Sequence, residues 1–203
     1  MVKIAVLVSG GGTNLQALID ACNRGEIENG KLTLCVSSNE NAYALTRAKN
    51  HGMKTAVVRR KDYADIESYS DAMTKVLKDE GIELIILAGF LTILPQSLIE
   101  QFPDRIINVH PSLIPSFCGE GFYGLRVHEA ALEYGVKVTG ATVHLVSEVV
   151  DGGRILLQKA VEIEPDDTAE TLQKRVMEQA EWKLLPRAAA MLCDEIEKER
   201  QSR

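Results

Sequence analysis

The chain has few cysteines, and the four that it has are scattered. Cys22, Cys35, Cys118 and Cys193 form neither a CxxC pair nor the regular spacing of a disulfide framework. The sequence therefore argues against a secreted, disulfide-stapled module and favours reduced thiols, as in the cytoplasm.

Long apolar runs and an excess of positive charge are also lacking. No stretch approaches the roughly 18 apolar residues of a membrane-spanning helix. The first nine residues lack a small-residue cleavage site and are typical of a strand, not of a signal peptide. The net charge is −6, whereas proteins that bind the nucleic-acid backbone are normally basic. We therefore expect a cytoplasmic protein with no membrane or nucleic-acid partner.

What is present is an alternation of strands and helices. Apolar content is 45% over 203 residues, which fits one globular domain, 1–203. Glycine-punctuated helical patterns separate five strand-like runs, which are Lys3–Val8, Leu32–Val36, Thr55–Val58, Leu84–Leu87 and Ile106–His110. This alternation predicts a doubly wound α/β fold, a mostly parallel sheet with helices on both faces.

The last third of the chain has a different pattern. Two strand-like runs, Lys137–Val146 and Arg154–Ile163, lie close together and predict an antiparallel pair near residues 137–163. A capping-box spacing at Asp167–Glu170 then opens an apolar helical stripe. This C-terminal helix is expected to kink at Pro186 and to end in a polar tail, 193–203.

Asn108 and His110 interrupt the apolar run of the fifth strand. Residues two apart in a strand point to the same side, so an amide and an imidazole emerge together where the strand ends at Pro111. The carboxyl end of a buried strand is a common place for chemistry. The alternative is that both side chains merely cap the strand.

A glycine-rich turn follows the first strand. Its backbone N–H groups, with the start of the next helix, can hold an anion at Gly11, Gly12, Thr13 and Asn14. The turn lacks the third glycine of a dinucleotide site and the lysine of a P-loop. It therefore favours a single phosphate monoester, and a tight packing turn is the alternative.

Asp151 precedes Gly152 and Gly153 in the turn between the last two strands. Such an aspartate commonly serves the turn itself; the functional alternative is a carboxylate held against His110. His128 is expected to be structural rather than catalytic. The histidine and cysteine spacings match no standard zinc pattern, so no metal is expected.

Four segments together resemble one enzyme family. They are Ser9–Gln16, Leu87–Leu91, Asn108–Leu113, and His144–Val146 with Asp151–Gly153, and they occur in the family's order and spacing. They are similar to phosphoribosylglycinamide formyltransferases, the folate-dependent transformylases of purine synthesis, from residue 2 to about residue 192.

The resemblance implies transfer of a formyl group from 10-formyltetrahydrofolate to the amino group of glycinamide ribonucleotide, through a tetrahedral intermediate. It implies that Asn108 and a protonated His110 donate hydrogen bonds to the formyl oxygen, and that Asp151 keeps the imidazole charged and helps move a proton. His144 and Ser112 would support these three residues.

The resemblance also divides the site between the two substrates. Gly11, Gly12, Thr13 and Asn14 would hold the substrate phosphate in an N-terminal half of about 1–100, and Glu181 would position the amine. The folate would lie in a C-terminal half of about 101–192. It would contact two segments, which are Leu91, Thr92, Ile93 and Leu94, and Ser147, Glu148, Val149 and Val150. Both partners are small molecules, and we expect a monomer or homodimer.

Three other functions use related features. A formyltetrahydrofolate deformylase would carry a second histidine after the first, where this chain has Pro111. A methionyl-tRNA formyltransferase would need a C-terminal tRNA-binding domain. A non-catalytic sensor of a sugar phosphate or folate would need the glycine turn without the set of Asn108, His110 and Asp151.

Overall fold

The computed structural model describes residues 1–202, which form a seven-stranded sheet in the order β3-β2-β1-β4-β5-β6-β7. The strands are β1 Val2–Val8, β2 Gly30–Ser37, β3 Lys54–Val57, β4 Leu84–Leu87, β5 Ile106–His110, β6 Val138–Leu145 and β7 Ile155–Glu162. The helices are α1 Thr13–Asn23, α2 Tyr43–Asn50, α3 Ile66–Asp79, α4 Gln96–Ile99, α5 Leu125–Tyr134, α6 Ala169–Val176 and α7 Trp182–Gln201. The predicted α/β fold is confirmed.

The sheet is parallel from β3 to β5 and antiparallel from β5 to β7. The predicted antiparallel pair is therefore confirmed, and its first member also pairs with β5. Helices cover both faces because alternate residues of the buried strands are apolar on each side. In β1, Ile4 and Val6 pack into the core under α1 and α7, while Ala5 and Leu7 pack into the core under α3.

The C-terminal helix departs from regular geometry before Pro186. A π-helical turn, Met177–Glu181, joins α6 to α7, and Pro186 lies inside α7. The π turn lies five to nine residues before Pro186, and the kink at Pro186 stays a prediction. The capping box is also one residue later than its sequence spacing, at Thr168 and Thr171.

The strand order places a topological switch point between β1 and β4. The chain leaves β1 toward β2 and β3 and returns to the other side of β1 as β4. The loops after β1 and β4 therefore diverge and leave a crevice at the carboxyl edge, where open α/β sheets bind ligands. Among the described residues, no helix is both long and apolar enough to cross a membrane.

Candidate active site

A cavity of about 540 Å³ opens at this carboxyl edge. The residues after β4, the end of β5, the turn after β6 and the π turn all contribute to its lining. It collects most of the predicted site residues, which are Asn14, Leu91, Thr92, Ile93, Leu94, Asn108, His110, His144, Ser147, Glu148, Val149, Val150, Asp151 and Glu181.

Asn108 is oriented by the strand beside it. The antiparallel register of β5 and β6 sets Asn108 directly opposite His144, and Asn108 Nδ2 lies 3.2 Å from His144 Nε2. His144 Nδ1 lies 2.8 Å from the carbonyl oxygen of Leu145 and donates to it, and its Nε2 also lies 3.5 Å from Asp151 Oδ1. This arrangement turns the amide NH₂ of Asn108 toward Asp151.

Asp151 lies in the turn after β6, and its carboxylate faces His110. Its backbone is left-handed, with φ of 55°, and its side chain is 9% exposed. One carboxylate oxygen, Oδ1, accepts from Asn108 Nδ2 at 3.4 Å. The other, Oδ2, accepts the N–H of Gly119 at 2.9 Å and lies 3.5 Å from His110 Nδ1.

The imidazole of His110 faces two hydrogen-bond acceptors. Its Nε2 lies 2.8 Å from the carbonyl oxygen of Phe117, and its Nδ1 faces Asp151. Only a doubly protonated ring has a hydrogen for each of them. The local geometry therefore favours the charged form, which the predicted role of His110 requires.

Burial and these neighbours act in opposite directions on the ring. Burial lowers the pKa of His110, the Asp151 carboxylate and the Phe117 carbonyl raise it, and His144 lowers it further, with a net decrease. For Asp151, burial raises the pKa, but the His144 ring, the charge on His110 and the Gly119 N–H together lower it. Asp151 is therefore ionised at neutral pH, and the charge of His110 depends on further negative charge beside it.

The opposite side of the cavity holds a buried carboxyl group. Glu181, 6% exposed in the π turn, accepts a 2.6 Å hydrogen bond from Asn14 Nδ2. Burial raises the pKa of Glu181 to about 7. Asn14 Oδ1 is buried with no hydrogen-bond partner, and so are both ring nitrogens of His128, which lies on α5 near His110. The cavity lining therefore holds polar atoms that the protein leaves unpaired.

The predicted anion site lies beside the cavity. Gly12 is the N-cap of α1, with φ of 74°, and a Cβ there would lie 2.6 Å from the Cβ of Ala44. Glycine is therefore required for the close approach of α2, and the start of α1 has no side-chain cap. Arg47 adds a positive charge and donates to the carbonyl of Gly11 at 2.9 Å.

Four predicted residues lie outside the main cavity. Gly11 and Gly12 form the adjacent turn, and Thr13 lines a neighbouring cavity of about 330 Å³. Ser112 donates a 2.6 Å hydrogen bond to the carbonyl of Ser116, so it holds the base of the loop after β5.

The predicted folate residues form an apolar rim. Leu91, Ile93 and Val149 are each about 60% exposed at the mouth of the cavity. A planar apolar ligand would remove this surface from water. Their contact with folate stays a prediction.

The sequence reading missed several lining residues. Gln173 and Met177 lie on the same side of the helix as Glu181, at spacings of four, so that periodicity could have identified them. Phe117 and Gly119 act through backbone atoms, which leave no signature in side-chain chemistry. Among the described residues, no group of three or more His, Cys, Asp or Glu could hold a metal ion.

Comparison with known proteins places this cavity in a family. A family model for formyl transferases matches residues 2–189. A phosphoribosylglycinamide formyltransferase of Haemophilus influenzae is 41% identical over 92% of this chain and 84% of its own length. The chloroplastic one of Arabidopsis thaliana is 38% identical over 95% of this chain and 66% of its own length.

A solved structure is similar throughout. Glycinamide ribonucleotide transformylase 1 from Symbiobacterium toebii has a TM-score of 0.90 and 37% identity, and covers 96% of this chain and 89% of its own. The chain therefore belongs to the formyl transferase family, in its phosphoribosylglycinamide formyltransferase branch.

Proposed function

We propose that the chain transfers a formyl group from 10-formyltetrahydrofolate, the co-substrate of this family, to the amino group of glycinamide ribonucleotide by direct amine attack. The observation that carries this proposal is the convergence of Asn108, His110 and Asp151 in one cavity opposite Glu181. A ligand sensor has no need of that set.

Two nitrogen atoms are placed to donate to the formyl oxygen, Asn108 Nδ2 and, when the ring is charged, His110 Nδ1. Asn108 Nδ2 and His110 Nδ1 both face Asp151, at 3.4 and 3.5 Å, distances that leave weak interactions with the carboxylate. The formyl oxygen would enter at the cavity side of these two atoms and take over the hydrogens that they direct at Asp151. As the amine attacks, that oxygen gains negative charge, and each donor of this kind contributes about 10²–10³-fold in other acyl-transfer sites.

The charge on His110 rises with the reaction. A developing oxyanion raises the pKa of an adjacent imidazole, so the proton on Nδ1 is held most strongly when the tetrahedral intermediate forms. An α-amino group is mostly ammonium near pH 7 and must lose a proton before it attacks. Asp151 then helps carry a proton through water from the attacking nitrogen to the folate nitrogen, so that the bond between this nitrogen and the formyl carbon breaks and tetrahydrofolate leaves.

The amine and phosphate ends are held by separate groups. Glu181 faces the attacking amine, and its ionised form pairs with the ammonium state. The phosphate binds the uncapped start of α1 at Gly11, Gly12, Thr13 and Asn14, next to Arg47. The apolar rim binds the folate, and the chain divides near residue 100 into a phosphate-binding half and a folate-binding half. The protein acts in the cytoplasm as a monomer or homodimer.

The first test follows release of tetrahydrofolate from 10-formyltetrahydrofolate, with and without glycinamide ribonucleotide. We expect release only with the ribonucleotide, and about 10³-fold slower release in His110→Ala. His51→Ala is the matched control, since His51 lies at the end of α2, away from the cavity.

Each other result has a defined meaning. Release without the ribonucleotide would indicate a deformylase. Binding of both ligands without release would indicate a sensor and refute the mechanism. Full activity in His110→Ala would refute the role of that ring.

A further inference from the structure

We propose that Phe117 is a positioning residue: its backbone carbonyl holds His110 by the Nε2–H, so that Nδ1 is the nitrogen that faces the reacting atoms. This inference rests on the proposed function. It assigns the two ring nitrogens different tasks, one structural and one chemical.

A short segment of the loop after β5, Ser116–Gly119, forms hydrogen bonds with both His110 and Asp151, and we call it the arch. The Phe117 carbonyl accepts from His110 Nε2 at 2.8 Å, and two residues later the Gly119 N–H donates to Asp151 Oδ2 at 2.9 Å. The arch begins at Ser116, whose carbonyl accepts from the Ser112 hydroxyl at 2.6 Å. One backbone segment therefore sets the relative positions of the imidazole and the carboxylate.

Phe117 adopts a backbone conformation that a large side chain seldom adopts. Its φ is 50°, in the left-handed region, where the cost for a non-glycine residue must be offset by its surroundings. Its ring packs edge-on against Phe122 and Tyr134, with centroids 6.5 and 6.0 Å away. These contacts hold the residue in the conformation that points its carbonyl at His110.

The carbonyl has a chemical consequence for the ring. With a hydrogen fixed on Nε2, a hydrogen on Nδ1 can be present only in the imidazolium form. The charged and titratable groups around the ring are Asp151 in the turn, His144 on β6 and His128 on α5. Of these, only Asp151 favours the cation, and the Phe117 carbonyl acts with it.

Tyr134 provides a test outside the site. It is 80% exposed at the end of α5, and its ring packs edge-on against that of Phe117. Tyr134→Ala removes this contact, while Tyr134→Phe retains the ring and serves as the matched control. Phe117→Gly removes the ring with its contacts and lets the backbone at residue 117 adopt many conformations.

The direct readout is nitrogen NMR of the unliganded protein with isotope-labelled histidine, in which His110→Gln identifies the His110 signals. We expect the wild type and Tyr134→Phe to keep Nε2 protonated across the neutral range. Phe117→Gly, and to a smaller degree Tyr134→Ala, should show mixed tautomers. A wild-type ring with Nδ1–H and a bare Nε2, or unchanged tautomers in both loosened variants, would overturn the proposal.

Kinetics supply the second readout. Phe117→Gly should lower kcat roughly 100-fold with little change in KM for the ribonucleotide, since the misplaced group is a reacting one. Because its His110 is protonated less readily, its activity should also fall at a lower pH than that of the wild type as pH is raised. An unchanged pH profile would contradict the inference. The tautomer result stands whether or not formyl transfer occurs, so failure of this inference is distinct from failure of the proposed function.

Discussion

The cavity has two polar walls that differ in how the protein treats its own hydrogen-bonding groups. The strand wall consists of Asn108, His110, His144 and Asp151, and each of these side chains has a protein partner. The helix wall is defined here as the polar lining residues that helical segments supply, Asn14, His128 and Glu181, and three of their buried polar atoms have none.

This difference fits two tasks. Groups that act on a short-lived oxyanion must be aligned before the substrate arrives, and internal hydrogen bonds align them. Groups that bind a stable polar substrate must instead keep donors and acceptors available for it. An unpaired buried polar atom is costly, and a bound substrate can remove that cost.

The largest effect is expected on the strand wall. Asp151→Asn removes the negative charge that favours the His110 cation, so kcat should fall about 10²–10³-fold. As pH rises, its activity should also disappear at a lower pH than that of the wild type, because loss of Asp151 lowers the pKa of His110. A pH profile of kcat checks both. Asp104→Asn is the control, since Asp104 is an exposed aspartate with φ of 56°; equal losses in both variants would indicate a backbone effect.

An effect of intermediate size is expected on the helix wall, where replacing Glu181 should raise the stability of the protein. The pKa of Glu181 is about 7, above its ordinary 4.5, so folding binds a proton in this window and the free energy of unfolding falls as pH rises through it. Glu181→Gln removes that loss, and should raise the free energy of unfolding above neutral pH by up to about 3 kcal/mol.

The same variant should bind the ribonucleotide less well, with KM raised roughly tenfold, because the amine loses a charged partner. Urea denaturation below pH 4.5 and above pH 7 measures the first effect, and steady-state kinetics the second. Glu178→Gln, on the exposed side of the same turn, should change neither. A Glu181→Gln protein less stable than the wild type above neutral pH would contradict the assigned cost.

The smallest effect is expected at His128. Burial lowers its pKa to about 4, so the ring is neutral at working pH and offers one donor and one acceptor. His128→Phe removes two unpaired polar atoms and should leave the melting temperature equal or slightly higher. Because these two atoms are free to bind the substrate, KM for the ribonucleotide should rise about threefold to tenfold. A loss of stability with an unchanged KM would place His128 in the core, as the sequence alone suggested.

Strand pairing shows how far sequence reasoning reached. The two-residue repeat of a strand was enough to put Asn108 and His110 on one side of β5, and strand–helix alternation was enough for the parallel sheet. The partner Asp151 is 43 residues from Asn108, and spacing alone left it between a turn and a functional role. The register of β6 against β5 sets His144 beside Asn108, and the turn after β6 brings Asp151 to the same place. The roles of these residues stay predictions, as do the folate contacts.

The sequence by itself determined the order of elements, the sheet type, the glycine turn and the paired side chains of β5, because each follows from local periodicity or from the conformational freedom of one residue. Only the tertiary structure decided which distant groups meet. Asn14 and Glu181 are 167 residues apart, and Phe117 reaches His110 through a carbonyl that every residue has. Long-range packing brings such groups together, and no local pattern encodes their distance.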